Sequence, residues 1–394
     1  MEDVFILGAR RTPLGAFQGG LASWSAPQLG AHAIRAACTD AGVATEELGQ
    51  VNMGCVLSAG VGQAPARQAA IAAGCGPGTG AVTLNKVCGS GMRAVMMAAN
   101  DLRCGDFDLV AAGGMESMSN VPYLLPGARS GLRLGNKDLV DSLVHDGLWD
   151  PYDDVHMGNC AELCASKYDF SREDQDAFAL ESYRRAQDAT ESGRFDAEIA
   201  AVEIEGRKGT SRVERDEDPF RVDLERASTL RPAFQKDGTV TAANASNIND
   251  GAAALVLATT GVCADRGLEP MARVVAHASV AQEPAWFTTA PVKAVQAVLD
   301  RAGWGVDDVE LFEINEAFSV VALACARELG LDLARVNVNG GAVALGHPIG
   351  ASGARIVVTL LHALEQRGLH RGCAAICIGG GEATAILVER VDAP

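Results

Sequence analysis

The sequence has no excess of basic residues. It carries 33 lysines and arginines against 50 acidic residues, which gives a formal net charge of −17. So acidic a chain is poorly suited to general binding of nucleic acid or of an anionic membrane surface. If its ligand is an anion, the basic groups that bind it must be gathered in one place.

Long apolar runs and paired cysteines are also missing. The first residues, MEDVFILGARRTPLG, pass from a short predicted strand into a loop, so we expect no signal peptide, and no later run predicts a transmembrane helix. The eleven cysteines include no C-x-x-C pair, and cysteine and histidine never take up zinc-like spacing. We therefore expect a protein of the reducing cytoplasm with no metal site.

The residues that are abundant indicate an α/β protein. Of 394 residues, 48% are hydrophobic and 44 are glycine, a composition that suits many tight turns between strands and helices. The length exceeds what one core normally holds, so two or three domains are expected.

An internal echo supports two related halves. The stretch GSGMRAVMMAANDLRCGDFDLVAAGGMES, from Gly89, is matched by ASGARIVVTLLHALEQRGLHRGCAAICIGGGEA, from Ala351. Both stretches predict an apolar helix, a charged turn and a buried strand that ends in glycines. The aligned residues are Ser90 with Ser352, Gly91 with Gly353, and Arg93 with Arg355.

The segment between the halves, from about Ser117 to Asn249, is rich in loops. One clear helix is predicted there, opened by a capping box of Ser171 and Asp174. Residues 203–226 hold 8 acidic and 6 basic side chains, so we expect this run to stay out of the core. It is either a solvated surface or the source of cations for an anionic ligand, namely Arg207, Lys208, Arg212 and Arg221.

Cys88 lies in the stretch NKVCGSGMRAV, between a predicted strand and a predicted helix. A helix N-terminus presents unpaired N–H groups and a partial positive charge, which favours a thiolate at that point. The small residues that follow would let a substrate approach the backbone. Cys88 is therefore either a reactive nucleophile or a small buried hydrophobe.

Three further segments place reactive groups where strands end. Asn315 follows the apolar strand VELFEI and could be either a site residue or a helix cap. His347 lies between a glycine and a proline in a loop without bulky residues, which favours a working base. Cys377 ends a buried strand just before three glycines and is either a second reactive thiol or a core cysteine. Because α/β proteins gather their sites at strand ends, all four segments together predict one active site.

In this order the motifs VCGSGMRAV, NASNINDGAAA, NEAF, GGAVALGHPIGASG and CIGGG resemble those of the thiolases, and the likeness covers nearly the whole chain. The resemblance implies a five-layered αβαβα fold made of two similar halves with an inserted loop domain. It places the first half at 1–117 plus 250–270, the insertion at 118–249 and the second half at 271–394.

The resemblance also implies catalytic roles. Cys88 would take the acyl group as a thioester, activated by the helix end and by His347. Cys377 would remove a proton from the methyl group of a second acetyl-CoA. His347, with a water held by Asn315, would stabilise the enolate oxygen, and the N–H groups of Cys88 and Gly379 would form a second oxyanion hole.

Binding residues carried over from the family line the pantetheine channel and the acyl pocket, and Arg221 lies near its nucleotide-contacting arginine. The positions that match the channel and pocket are Ser246, Ala242, His156, Met157 and Phe318. The HMG at His156 and the loop MSNVPYLLPG are most similar to thiolases that act on acetoacetyl-CoA, in which this loop joins dimers into tetramers.

The implied activity is the reversible condensation of two acetyl-CoA to acetoacetyl-CoA and coenzyme A. A thiolase of β-oxidation for longer 3-ketoacyl-CoA and a non-catalytic acyl-CoA-binding protein are the alternatives. We expect a cytoplasmic homotetramer with no nucleic-acid or membrane partner. No cofactor is expected, since coenzyme A is substrate and product, and an activating potassium ion is left open.

Overall fold

The first half of the chain alternates strands and helices as its composition predicts. The structure is a computed structural model that describes residues 2–206 and 209–391. Before the insertion its elements are β1 (Val4–Arg11), β2 (Gly15–Ala16), α1 (Ala26–Asp40), β3 (Gln50–Gly54), α2 (Pro65–Ala73), β4 (Gly80–Leu84), α3 (Ser90–Cys104) and β5 (Leu109–Ser117).

The inserted segment contains two helices and several short strands. Its elements are β6 (Tyr123–Leu124), β7 (Val140–Asp141), β8 (Trp149–Asp150), β9 (Val155–His156), α4 (Met157–Lys167), α5 (Arg172–Glu191), β10 (Val202–Gly206) and β11 (Gly209–Val213). The capping box at Ser171 and Asp174 opens α5, as predicted.

The chain then returns to the main sheet at Asn249, one residue before the predicted boundary. The remaining elements are β12 (Asn249–Thr259), α6 (Thr260–Arg266), β13 (Ala272–Ala281), α7 (Ala290–Ala302), β14 (Leu311–Ile314), α8 (Ser319–Leu329), α9 (Ala342–Leu345), α10 (Ile349–Arg367), β15 (Arg371–Ile378) and β16 (Glu382–Arg390). None of the helices in the described part of the chain is long and apolar enough to cross a membrane.

The two halves repeat one strand topology. In the first, β1, β12 and β5 pair antiparallel, and β3 and β4 extend the sheet in parallel. In the second, β13, β16 and β15 pair antiparallel, and β14 follows in parallel. A parallel bridge between Phe312 and Val336 stands where β4 stands in the first half. A short ladder between β1 and β13 joins the halves, so the echo in the sequence reflects repeated architecture.

The layers follow from how the apolar residues cluster. Helices α1 and α2 cover the outer face of the first half, and α7 and α8 cover the outer face of the second. Between the two sheets lie α3 and α10, whose buried side chains join strands of both halves in one core. The order helix, sheet, helix, sheet, helix confirms the predicted five-layered fold.

The charged run at 203–226 does enter the interior, so the prediction that it stays out of the core is wrong. Asp216 and Asp218 are 1% and 7% exposed. The guanidinium of Arg11, itself fully buried on β1, bonds Asp216 at 2.7 Å and Glu198 at 2.6 Å. A buried carboxylate is tolerated where a cation and hydrogen bonds compensate for lost water, and here that cation comes from a residue far away in sequence.

Candidate active site

Cys88 lies in a tight turn between β4 and α3. The strand ends at Leu84, and Val87 adopts a left-handed φ of 46°. For a β-branched residue this conformation is strained by about 1–3 kcal/mol. Three hydrogen bonds hold the turn: the Val87 N–H donates to Asn85 Oδ1 at 2.9 Å, the Lys86 N–H to Ser90 Oγ at 2.8 Å, and the Ser90 hydroxyl to the Val87 carbonyl at 2.6 Å. The thiol is therefore presented by a rigid, strained turn.

The resting nucleophile is a thiol. Burial raises the pKa of Cys88 to about 11, although the N–H groups of Gly379 and of Cys88 itself act in the opposite direction. The charge of Glu116 raises this pKa further. The expectation that the start of α3 stabilises a resting thiolate is thus wrong, because loss of solvation outweighs the aligned N–H groups. Cys88 needs a partner that accepts its proton as it attacks.

His347 can accept that proton. Burial lowers the pKa of this imidazole to about 3, so the resting ring is neutral. The Ser352 hydroxyl donates its only proton to the Pro348 carbonyl at 2.9 Å, so the contact of 2.5 Å between Ser352 Oγ and His347 Nδ1 assigns the ring proton to Nδ1. Nε2 then carries a lone pair, and it is buried with no hydrogen-bond partner among the described residues.

Asn315 follows β14 and is not the cap of the next helix, since α8 begins after Phe318. Both polar atoms of its side-chain amide are buried and lack a partner within the described part of the chain. The Asn315 N–H bonds the Ala375 carbonyl at 3.0 Å, which places Asn315 beside the strand that carries Cys377. A buried amide whose donor and acceptor both lack partners is suited to bind a water or a polar group of a ligand.

The neighbouring Glu316 has a structural role. Its carboxylate accepts hydrogen bonds from Asn337 Nδ2 at 2.8 Å, Ser182 Oγ at 2.7 Å and the Val343 N–H at 3.1 Å. These bonds join the end of β14 to α5 and to the short helix α9 that precedes His347. Glu316 thereby fixes the loops that carry Asn315 and His347 relative to each other.

Cys377 is the second thiol of the site. It is fully buried near the end of β15, and burial together with the nearby Cys88 raises its pKa well above the ordinary value. The N–H of the following Gly379 points at the Cys88 thiol. A side chain at Gly381 would come within 2.4 Å of the Gln282 carbonyl, and Gly381 has a φ of 82°, so this turn requires glycine.

A cavity of about 530 Å³ opens onto Cys88 and His347. The predicted substrate-binding residues, drawn from the insertion and the second half, all line it: His156, Met157, Arg221, Ala242, Ser246 and Phe318. Cys377 and the Gly379 N–H reach the cavity at the Cys88 thiol, with which both interact, and Asn315 is buried beside the strand that carries Cys377. The structure thus brings together residues that are far apart in the sequence, such as Cys88 and His347, which are 259 positions apart.

Aromatic rings close one part of this cavity. The His156 and Phe234 rings stack with centroids 4.7 Å apart, and Phe318 meets Phe234 edge-on at 6.0 Å and Phe287 at 6.4 Å. His156 also caps α4, since its Nδ1 accepts from the Gly158 N–H at 3.1 Å, and burial lowers its pKa. It acts here as a neutral wall residue. Phe234 and Phe287 were missed in the sequence, where no motif marks them.

Of the four cations considered as ligands for an anion, the structure describes two, and they are placed differently. Arg221 lines the cavity, but Arg212 on β11 is exposed and pairs with Glu214 at 3.1 Å. Arg207 and Lys208 lie outside the described residues. An acid that the sequence did not single out, Asp218, lines the cavity beside Arg221. Over the described ranges, no three His, Cys, Asp or Glu side chains are arranged to hold a metal ion.

Comparison with known proteins gives full-length matches. The thiolase N-terminal domain model matches residues 4–261, and the thiolase C-terminal domain model matches residues 268–390. An acetyl-CoA acetyltransferase of Pseudomonas aeruginosa is 50% identical over 392 residues, covering 99% of this chain and 100% of the relative. A mitochondrial acetyl-CoA acetyltransferase of Xenopus laevis is 51% identical over 394 residues, covering 99% and 93%.

Solved structures give the same result. A thiolase from Ascaris suum, crystallised with coenzyme A, superposes with a TM-score of 0.94 at 46% identity, covering 99% of this chain and 100% of that one. An acetyl-CoA acetyltransferase of Bacillus anthracis superposes with a TM-score of 0.97 at 39% identity, covering 99% of each chain.

Proposed function

This chain belongs to the thiolase family, and on that premise we propose that it is an acetyl-CoA C-acetyltransferase, which condenses two acetyl-CoA to acetoacetyl-CoA and coenzyme A and catalyses the reverse cleavage. One observation carries the proposal. A half-buried thiol, Cys88, and a neutral imidazole with a free basic nitrogen, His347, face the same cavity, and a second buried thiol, Cys377, lies next to the first.

In the first step the Cys88 sulfur attacks the carbonyl carbon of acetyl-CoA. Its proton passes to His347 Nε2, which leaves an imidazolium. The N–H groups of Cys88 and Gly379 stabilise the oxyanion of the tetrahedral intermediate. When the bond to coenzyme A breaks, the leaving thiolate takes a proton from the Cys377 thiol. The products are acetyl-Cys88, free coenzyme A and a pair of opposite charges on His347 and Cys377.

That charge pair prepares the second step. The Cys377 thiolate removes a proton from the methyl group of the second acetyl-CoA, a weak carbon acid. The enolate oxygen that forms is stabilised by the His347 imidazolium and by a water on Asn315. The enolate carbon attacks acetyl-Cys88, the bond from Cys88 to the acyl carbon breaks, and the Cys88 thiolate recovers its proton from His347. All three groups are then neutral again, so the protons balance over the cycle.

The packing of the aromatic rings favours a substrate with a short acyl chain. Phe234, Phe287 and Phe318 fill the space next to Met157 with ring contacts of 6.0 to 6.4 Å. A longer 3-ketoacyl chain would have to displace these side chains, which are packed against one another, and that would cost packing free energy. We therefore propose that acetoacetyl-CoA is preferred over longer 3-ketoacyl-CoA substrates.

The assembly and the location are further parts of the proposal. Segment 121–139 of the insertion exposes several large apolar side chains, among them Tyr123 and Leu139, each 63% exposed, and Leu134. A second pair of subunits would remove these side chains from water, which supports a tetramer built from dimers. The eleven free thiols support a reducing compartment such as the cytoplasm.

Two measurements on the wild-type enzyme test the proposal. Brief incubation with acetyl-CoA, followed by peptide mass analysis, should place one acetyl group on the peptide that contains Cys88. Thiolysis should be fastest with acetoacetyl-CoA and should fall along a series of 3-ketoacyl-CoA of increasing length. Acetylation of another cysteine alone would remove Cys88 from its role. A maximum at six or more carbons would make this a thiolase for longer chains, and binding of acyl-CoA without turnover would leave a binding protein.

A further inference from the structure

One buried amide connects the inserted segment to His347. Asn249, the first residue of β12, is fully buried. Its Nδ2 donates to the Gly15 carbonyl at 3.0 Å and to Asp218 Oδ2 at 2.7 Å, and its Oδ1 accepts from the His347 N–H at 3.0 Å. Both donors and one of the two acceptor directions of this amide are therefore used, and the acceptor direction ends on the backbone of His347.

The surrounding groups allow only one orientation of the amide. The two acceptors, Gly15 and Asp218, require the NH₂ group on their side, and the His347 N–H requires the oxygen on the other. A flipped amide would set a donor against a donor at His347 and an oxygen against a buried carboxylate, both unfavourable. Burial raises the pKa of Asp218, and the hydrogen bond from Asn249 Nδ2 acts in the opposite direction, so the observed orientation favours the carboxylate form of Asp218.

The backbone beside His347 is shaped around this amide. Gly346 has a φ of 104°, and a side chain there would come within 2.1 Å of Asn249 Oδ1. The His347 N–H also contacts the Asn247 carbonyl at 3.2 Å, while the ring is held separately through Ser352. Removing Asn249 would leave the His347 N–H with only the longer contact to Asn247 and would open a space beside Gly346, so the residue whose ring must reach Cys88 would be held less firmly.

We propose that Asn249 is a positioning residue for His347 and that Asp218, from the inserted segment, fixes the orientation of the Asn249 amide. The proposal rests on the proposed thiolase function, because it assigns the consequence to the reaction that His347 serves. It gives the insertion a part in the chemistry, in addition to its part in lining the cavity.

The first test compares two alanine variants of buried asparagines. In Asn249→Ala we expect kcat to fall about 10- to 100-fold, the effect of moving a catalytic group by roughly 1 Å, with KM changed less than about threefold. Both acetylation of Cys88 and condensation should slow, since His347 serves both. Asn52→Ala is the matched control: Asn52 is fully buried on β3 and bonds Asp101 at 3.1 Å, outside the cavity. It should lower the melting temperature with kcat within about threefold of wild type.

The second test exchanges the two polar partners. Asn249→Asp keeps an oxygen for the His347 N–H but sets a second carboxylate against Asp218, so activity should fall at least as far as in Asn249→Ala. Adding Asp218→Asn restores a donor opposite the new carboxylate, while the Gly15 carbonyl still faces an oxygen, so recovery should be partial. We expect the double variant to recover about fivefold or more over Asn249→Asp, the size of a coupling within one hydrogen-bond network.

The outcomes separate the two proposals. Wild-type enzyme without condensation or thiolysis would defeat the proposed function itself. With an active wild type, equal kcat losses in Asn249→Ala and Asn52→Ala would reduce Asn249 to a structural residue and overturn the inference. If Asn249→Ala does not fold, the comparison of Asn249→Asp with the double variant tests the inference. Recovery of activity in the double variant supports the inference, and no recovery overturns it.

Discussion

Replacing Cys377 with alanine should separate the two chemical steps. Cys377 is fully buried on β15, and replacing it with a smaller apolar side chain leaves Cys88, His347 and the residues that line the cavity in place. Acetylation of Cys88 should survive in part, because a thiolate such as that of coenzyme A is a good leaving group and needs little help from an acid. Condensation should nearly vanish, because the group that removes the methyl proton is gone.

The size of the effect follows from the role proposed for the thiol. Losing a positioned general base costs about 10²- to 10⁴-fold, and the same thiol would protonate the carbanion in thiolysis, so both directions should fall together. The sulfur is comparable in size to a methylene group, so the loss of stability should be about 1 kcal/mol. That loss is too small to unfold an ordinary domain, and the change in rate can therefore be assigned to chemistry.

A neighbouring cysteine supplies the control. Cys373 lies four residues before Cys377 on the same strand, so its side chain points to the same face of the sheet. It is also fully buried and belongs to the same core cluster. Cys373→Ala should lose about the same stability and keep its activity. Single-turnover acetylation and steady-state condensation are measured on each variant. Condensation by Cys377→Ala within about threefold of wild type, far from the expected loss, would make Cys377 a core cysteine and assign the base to another group.

Three further predictions concern the nucleophile, the acyl pocket and the assembly. Because the folded pKa of Cys88 is raised to about 11, its alkylation by iodoacetamide in the free enzyme should still accelerate above pH 9, whereas a plateau near pH 7 would indicate a stable thiolate. Phe318→Ala should raise the rate of thiolysis of a six-carbon 3-ketoacyl-CoA, relative to that of acetoacetyl-CoA, about tenfold or more. An unchanged ratio of the two rates would mean that other residues limit the chain length. Light scattering should give four times the subunit mass, and Leu134→Asp with Leu139→Asp should give a dimer; a wild-type monomer or dimer would contradict the tetramer.

The sequence was most informative where it repeats. The aligned glycines of the echo lie where α3 and α10 cross: a side chain at Gly91 would come within 2.7 Å of the Ala354 backbone nitrogen, and one at Gly353 within 2.5 Å of that of Met92. Two helices can approach this closely only through residues without side chains. The echo therefore predicted two related halves, and the structure shows that its aligned glycines lie at the contact between the two central helices.

Features that depend on distant contacts could not be read from the sequence. The left-handed Val87 breaks a local preference, and only the bonds from Asn85 and Ser90 around it compensate. The buried Asp216 looked like a surface residue because its partner, Arg11, is 205 positions away. Phe234 belongs to no motif, and its place in the cavity depends on the path of the inserted segment.

The error about the thiolate follows from how the site is built. Local sequence suggested that the helix end would ionise Cys88, but this half-buried thiol, the buried thiol of Cys377 and the buried imidazole of His347 are each most stable without charge in a medium of low polarity. Charges can then form only in pairs, as a proton leaves one group for another, and the attraction within each pair offsets part of the lost solvation. An acyl-CoA in the cavity supplies the carbonyl carbon that the Cys88 sulfur attacks. When coenzyme A leaves, its thiolate takes the proton of Cys377. We therefore expect the thiols of the free enzyme to react slowly with other electrophiles at neutral pH, since their pKa values are raised, and to react faster when the substrate is in place.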